Sequence, residues 1–171
     1  DALHDRYGVT IERFEPDPGR LEDMIREHGE YLFFDGRAEQ ELCCRVRKVE
    51  PNQRALETVD VWITGLRRDQ SSGRASTPSA ANYGALGAPQ TKVKLCPLAD
   101  WTDEQVWDYI RRHDVPYNQL YDKGYKSIGC EICSTPTLAG ENARAGRWRW
   151  MNQLEEQHHK ECGIHTKGSG I

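Results

Sequence analysis

Six cysteines stand at positions 43, 44, 96, 130, 133 and 162 of this 171-residue chain. Two spacings could do chemistry, the tandem Cys43-Cys44 and the C-x-x-C formed by Cys130 and Cys133. A C-x-x-C alone fits a zinc half-site, an iron–sulfur half-site or a redox pair. Gly129 before it and Pro136 after it predict a tight turn, which suits ligation better than a helix-borne redox pair. The tandem pair discriminates further. Adjacent helical residues point about 100° apart, so two neighbouring thiolates converge poorly on one tetrahedral zinc. A cubane cluster has separate irons, each taking one thiolate, and neighbouring cysteines can reach two of them. A [4Fe-4S] cluster on Cys43, Cys44, Cys130 and Cys133 is therefore the preferred reading. Zinc and simple burial of the thiols stay open. Cys96, inside the apolar string VKLCPL, reads as a core thiol.

Cys162 stands apart in the polar string KECGIH (160–165). A neighbouring cation such as Lys160 or His165 would lower its pKa and raise its thiolate fraction. From spacing alone a dispensable tail thiol is the favoured reading. Basic residues flank the cysteines: Arg45, Arg47 and Lys48 after the tandem pair, and Arg144, Arg147 and Arg149 after the C-x-x-C. Arg67, Arg68 and Arg74 follow the strand end TGLRRDQS. They are either solvated surface charge or a convergent anion site, since Arg binds phosphate and sulfate bidentately.

These residues need elements to position them. Leu21, Met24, Ile25 and His28 recur at helical spacing and Gly29 stops the pattern, which predicts a helix over 20–28. Residues 37–49 are helix-compatible up to Pro51. VDVWITG (59–65) predicts a strand, and VKLCPLADW (93–101) a short strand leading into a helix. Thr102 and Gln105 predict a capping box for that helix, whose apolar face is Val106, Trp107 and Ile110 and which His113 closes. Residues 71–91, rich in Ser, Gly, Ala and Pro, read as a long surface loop, and 147–159 as a last helix. Helices alternating with few strands predict an α/β sheet domain. Charged residues make up 29% of the chain and no run of about 18 apolar residues occurs, so no transmembrane helix is expected. The N-terminal stretch lacks the basic-then-apolar pattern of a signal peptide. A net charge of −4 without a long basic block argues against nucleic-acid binding. Nothing indicates secretion, and in a reducing, cytoplasmic setting clustered cysteines mean metal or catalysis more often than disulfides.

In order, CCRVRKVEP (43–51), WITGLRRDQS (62–71), PLADWTDEQVWDYI (97–110), VPYNQLYDKGYKSIGCEIC (115–133), GRWRW (146–150) and KECGIH (160–165) resemble the assimilatory adenylyl-sulfate reductases of the sulfonucleotide reductase family. The resemblance implies an α/β, Rossmann-like nucleotide-binding domain of the PP-loop type, with helices on both faces of its sheet. It implies one domain over 1–160 and a mobile tail over 161–171. It implies reduction of adenosine 5′-phosphosulfate to sulfite and AMP. Cys162 would be the nucleophile, its S-sulfonate resolved by thioredoxin or a similar dithiol donor. Lys48, Arg74, Arg144, Arg147 and His165 would hold the phosphosulfate, and the Gly65 backbone would meet the adenine. The four remaining motif cysteines resemble the branch that carries a [4Fe-4S] cluster. The alternatives are a reductase of the 3′-phosphorylated nucleotide and a non-catalytic metal-stabilised module. A homo-oligomer is compatible with all three. Arg149 stands where the family commonly has an aromatic residue. The family's early phosphate loop, of S-G-G-x-D-S type, is not among these residues, so the N-terminal part of the fold is expected to be missing.

Overall fold

Asp17 opens the first long helix because its carboxylate accepts a hydrogen bond from the Arg20 amide at 2.9 Å, with Pro18 at the first helical position. This helix, α2 (Pro18–His28), follows a short α1 (Ala2–Tyr7) and ends where Gly29 takes φ +82°. It starts two residues earlier than the apolar spacing predicts, because the cap and the proline lie outside the periodic pattern. The structure is a computed structural model that describes residues 2–83 and 92–152.

The next helix runs on where a stop was expected. Helix α3 (Arg37–Cys44) passes through a π-helical turn (Arg45–Val49) directly into α4 (Glu50–Glu57). Pro51 has no N–H for an i−4 carbonyl and its ring crowds that position. Widening the preceding turn lets the chain keep its course instead of breaking. The wide turn begins at the residue after Cys44.

Among the described residues, three strands form one mixed sheet in the order β1 (Val61–Ile63), β3 (Lys92–Leu95), β2 (Ala80–Tyr83). β1 runs parallel to β3, with Trp62 opposite Lys94, and β2 runs antiparallel to it, with Ala81 opposite Lys94. The expected surface loop over 71–91 is corrected over 71–83: that part contains β2 and a 3₁₀ turn (Ser72–Arg74), and it buries Arg74 and Thr77, while 84–91 lie outside the described residues. Pairing with β3 makes that strand, which the local composition of AANY does not announce. One face of the sheet buries Lys94 to 1% exposure, while Val61, Ile63 and Val93 on the other face are exposed.

Helix α5 (Asp103–His113) has the expected capping box: Gln105 N–H donates to Thr102 Oγ1 at 3.2 Å, and Thr102 N–H donates to Gln105 Oε1 at 2.8 Å. It lies at the periphery, where Trp107 packs edge-on against Tyr117 and Tyr121. Helix α6 (Arg149–Asn152) is the described start of the expected last helix. Two of the cores meet at the cysteines. Met24, Leu32, Phe33 and Val46 pack with Cys43, and Trp150 reaches them from α6. Cys44 and Cys133 pack with Trp148. The mixed α/β architecture agrees with the expected class. Among the described residues, no helix is long and apolar enough to cross a membrane.

Candidate functional site

The tandem cysteines occupy the last turn of α3, and the C-x-x-C forms the tight turn its flanking residues predict. The Cys133 amide donates to the Cys130 carbonyl at 3.0 Å, and the Gly129 amide donates to Ser134 Oγ at 2.8 Å. A short antiparallel bridge then lays GRWRW alongside. Ser134 pairs with Arg147, Thr135 N–H donates to the Gly146 carbonyl at 2.9 Å, and Trp148 N–H donates to the Cys133 carbonyl at 3.2 Å. Gly146 is required for this approach, because a Cβ there would lie 3.1 Å from the Thr135 carbonyl carbon, with the oxygen closer still. Trp148 itself takes φ +46°, a left-handed backbone that bulky residues rarely adopt.

The four motif cysteines are thereby brought together. Cys43, Cys44 and Cys133 are buried and Cys130 is half-buried. Gln40 Nε2 donates to Cys44 Sγ at 3.1 Å. Burial pushes the Cys133 thiol up to about 11; Cys130 and Cys43 push it the same way, while Lys48 and Arg147 pull it down. Burial also raises the Cys43 thiol, against the pull of Arg47 and Lys48. Such a set is poorly ionised alone and needs positive charge to become thiolate. Among the described residues, no group of three or more His, Cys, Asp or Glu side chains is placed to hold a metal ion. A cube would present its irons at separate corners, so its thiolates need not share one point. The donor chemistry of the four cysteines fits that group.

Two of the expected anion ligands stand at this cage. Lys48 acts on both Cys43 and Cys133. Arg147, 5% exposed, places its guanidinium 4.5 Å over the Trp148 ring and donates to the Ile128 carbonyl at 3.4 Å. Its head lies against the Cα of Gly129, where any side chain would displace it. Arg144, 7% exposed, donates to Ser127 Oγ at 3.3 Å from the same C-terminal loop. Arg74 and Gly65 belong to the sheet. Gly65 is exposed just beyond β1, and Arg74 is buried in the turn that follows. Cys162 and His165 lie outside the described residues.

Two features, Gln70 and Lys94, were not singled out in the sequence. Gln70 Oε1 accepts from Arg74 Nη1 at 2.6 Å. Lys94 sits 4.4 Å over the Trp62 ring, and burial takes its amine down to about 8, opposed by Cys96 and aided by Arg74. Its only sequence signal is a lysine inside an apolar strand. Arg149, where an aromatic was expected, holds Glu141 through two bonds of 2.7 and 2.8 Å and donates to Thr135 Oγ1 and the Pro136 carbonyl. It thereby ties the stretch after the C-x-x-C to the start of α6.

Comparison with known proteins adds to this geometry. The family model described as the phosphoadenosine phosphosulfate reductase domain matches residues 1–136. The adenosine 5′-phosphosulfate reductase of Pseudomonas aeruginosa (strain LESB58) is 44% identical over 169 residues, which is 97% of this chain and 61% of that protein. The corresponding enzyme of Allochromatium vinosum is 42% identical over 167 residues, 98% of this chain and 62% of that protein. The chain thus spans about three-fifths of the length of these curated relatives. Among solved structures, the phosphate complex of phosphoadenylyl-sulfate (PAPS) reductase from Candida auris is similar, with a TM-score of 0.59 and 30% identity. The match covers 77% of this chain and 60% of that one.

Proposed function

The chain belongs to the phosphoadenosine phosphosulfate reductase family, and on that premise we propose that the protein reduces adenosine 5′-phosphosulfate to sulfite and AMP in sulfate assimilation. The observation that carries the reading is the gathering of Cys43, Cys44, Cys130 and Cys133 into one cage with Lys48 and Arg147 beside it. The relatives at 42 to 44% identity carry the name of the adenylyl-sulfate enzyme, which favours the nucleotide without a 3′-phosphate.

Cys162, in the segment 161–171 that follows the domain, is the nucleophile. Its thiolate attacks the sulfur of the phosphosulfate. An S–S bond forms, the bond from sulfur to the bridging oxygen breaks, and AMP leaves with that electron pair. A dithiol protein of the thioredoxin kind then attacks Cys162 Sγ. Sulfite departs with the electrons of the S–S bond, and the second thiol of the donor closes its own disulfide and frees Cys162. The donor is oxidised and the substrate sulfur reduced by two electrons. A thiol donor of this kind places the protein in a reducing compartment such as the cytoplasm.

Lys48, Arg74, Arg144, Arg147 and His165 bind the phosphosulfate and offset the charge that develops on the leaving phosphate. The Gly65 backbone meets the adenine, in keeping with ligand binding beyond the carboxyl ends of sheet strands. A [4Fe-4S] cluster held by the four cage cysteines would supply a fixed charge beside Lys48 and Arg147. Those two residues in turn favour the thiolate form of the cage.

The test has two parts. Protein prepared without oxygen should contain about four irons and four acid-labile sulfides per chain. Cys162→Ser should abolish sulfite formation and leave that iron content unchanged. Zinc in place of iron removes the cluster, and surviving sulfite formation removes Cys162 as nucleophile. A clear preference for the 3′-phosphorylated nucleotide would move the protein to the other branch, whose name the Candida auris enzyme carries.

A further inference from the structure

We infer that two uncharged N–H donors tune a cluster held in this cage: the Gln40 carboxamide, on Cys44 Sγ, and the Trp148 indole, on a sulfur of the cluster itself. The inference rests on the reading of the four cysteines as ligands of that cluster.

Gln40 lies one turn before Cys44 on α3, at the i, i+4 spacing that puts two side chains on one helix face. It is 5% exposed, and its Nε2 donates to Cys44 Sγ at 3.1 Å. Its own amide donates to the Gly36 carbonyl at 3.0 Å, so the backbone that carries it is fixed in the first turn of the helix. A carboxamide is costly to bury unless its N–H finds an acceptor. A neutral thiol is a weak acceptor, whereas a thiolate makes a charge-assisted bond. Burying Gln40 against Cys44 therefore suits a sulfur that carries negative charge, as a thiolate bound to iron does.

Trp148 presents a donor without an acceptor. It is 2% exposed and packs on Cys44 and Cys133. Its backbone N–H donates to the Cys133 carbonyl at 3.2 Å. Its indole Nε1 is buried and has no hydrogen-bond partner among the described residues. Buried donors in native proteins are nearly always paired, so an orphan points to an acceptor that the polypeptide does not supply. A [4Fe-4S] cluster on the same cysteines brings sulfides as well as thiolates, and these are acceptors. Nε1 of Trp150 is also buried without a partner among the described residues, but that ring lies against Phe33 and Phe34, at centroid distances of 6.4 and 4.9 Å, and aromatic faces are weak acceptors for it.

Neither donor carries charge. Lys48 and Arg147 offset the charge of the cage, whereas Gln40 and Trp148 draw electron density from its sulfurs and leave the net charge unchanged. Such bonds weaken the Fe–S bonds slightly, favour the reduced cluster and so raise its potential.

The test uses the full chain, prepared without oxygen, with iron and sulfide measured first. A chain that holds zinc or no metal ends the cluster reading, and the inference with it. With the cluster present, its Fe–S stretching bands are compared by resonance Raman after assembly in H2O and in D2O. Gln40→Met keeps the length of the side chain and loses the donor. Trp148→Phe keeps a ring on Cys44 and Cys133 and loses the indole N–H. Each should lose part of the wild-type deuterium shift and move the bands to higher frequency, and the double variant should lose more than either. The midpoint potential should fall in each. Gln40→Glu, of wild-type size, sets a carboxylate beside the thiolate and should give up its iron to a chelator roughly tenfold faster, the range of one lost charge-assisted bond. If only one variant loads with iron, its spectrum decides. Iron-loaded variants that keep the wild-type bands and the whole deuterium shift overturn the inference while the cluster reading stands.

Discussion

Two glycines beside the cage meet different neighbours, and the same substitution should therefore fail in two different ways. At Gly146 an added Cβ meets backbone. It would lie 3.1 Å from the Thr135 carbonyl carbon and nearer to the oxygen, against 3.4 Å or more for an ordinary contact. Neither side can rotate away. The two segments must separate by about 1 Å, which takes the 2.9 Å bond from Thr135 N–H to the Gly146 carbonyl out of hydrogen-bonding range. The bond from Trp148 N–H to the Cys133 carbonyl lies two residues on and is strained with it. Two hydrogen bonds at about 1 kcal/mol each, with about 1–3 kcal/mol for overpacking, give a loss of about 3–5 kcal/mol. For a domain of this size that is a fall in Tm of roughly 6 to 20 °C.

At Gly129 the same Cβ meets only the far end of a side chain. It would lie 2.5 Å from Arg147 Cζ and 3.0 Å from Nη1. Restoring an ordinary 3.4 Å contact displaces the guanidinium by about 1 Å, Nη2 lying nearer than Cζ, and leaves the backbone in place. Gly129→Ala should therefore melt within about 3 °C of wild type and yet bind adenosine 5′-phosphosulfate as weakly as Arg147→Met. Combined with Arg147→Met it should cost nothing further, since both act through the same guanidinium. Thermal unfolding and equilibrium binding of the four variants decide the matter. A Gly146→Ala protein that melts like wild type, or a Gly129→Ala protein of full affinity, would refute the packing argument.

Lys94 makes stability depend on pH. Its amine falls from 10.5 to about 8 on folding, so between those values the unfolded chain binds more protons and stability rises with pH. Lys94→Met should remove that rise, worth at most about 3 kcal/mol, as read by urea unfolding at pH 7 and pH 10; equal slopes in both proteins would sink the assignment. The Arg149–Glu141 pair is bidentate and only 26% exposed on either side, so Arg149→Met should cost about 1–2 kcal/mol, and a double-mutant cycle with Glu141→Gln should show a coupling of at least half that; additive effects would mean the pair does nothing. Thr102→Ala opens the capping box of α5 and should lower stability by about 1 kcal/mol, with Thr102→Asp restoring it.

What could be read in advance follows how local the cause is. The box of Thr102 and Gln105 is a contact over three residues, and it stands as expected. Pro51 was misjudged because the rule that proline ends a helix takes no account of a π turn that makes room for the ring. The stretch 71–91 was misjudged because Ala80–Tyr83 becomes a strand only by pairing with Lys92–Leu95. Arg74 and Lys94 are charged, and charge argues for the surface; their burial depends on what the turn after β1 covers. At the cage the pairing of the tandem cysteines with the C-x-x-C was legible as a pattern, whereas the place of Lys48 depends on the π turn that separates it from Cys44. Arg147 was legible only as one arginine among several. Its place depends on the bare Cα of Gly129, across a bridge between segments distant in sequence.

Local costs concentrate around the cage. Among the described residues, the non-glycine positions with positive φ are Asp114 and Trp148. Asp114 follows the last residue of α5, where a short polar side chain tolerates the left-handed region. Trp148 has no such excuse: it is 2% exposed, bulky and packed on Cys44 and Cys133. The π turn begins directly after Cys44, and the close approach of Gly146 lies two residues from Trp148. The left-handed backbone at Trp148 costs of order 1–3 kcal/mol and persists only where its surroundings over-determine it. The π turn answers Pro51, and no such local cause stands at Trp148. What they share is placement: the π turn resets Arg47 and Lys48 relative to the tandem cysteines, and the left-handed residue turns the chain so that Arg147 faces Gly129 and Trp148 covers Cys133. The strain therefore follows the cations as closely as the thiols, which is the pattern expected where charge must be held beside a cage.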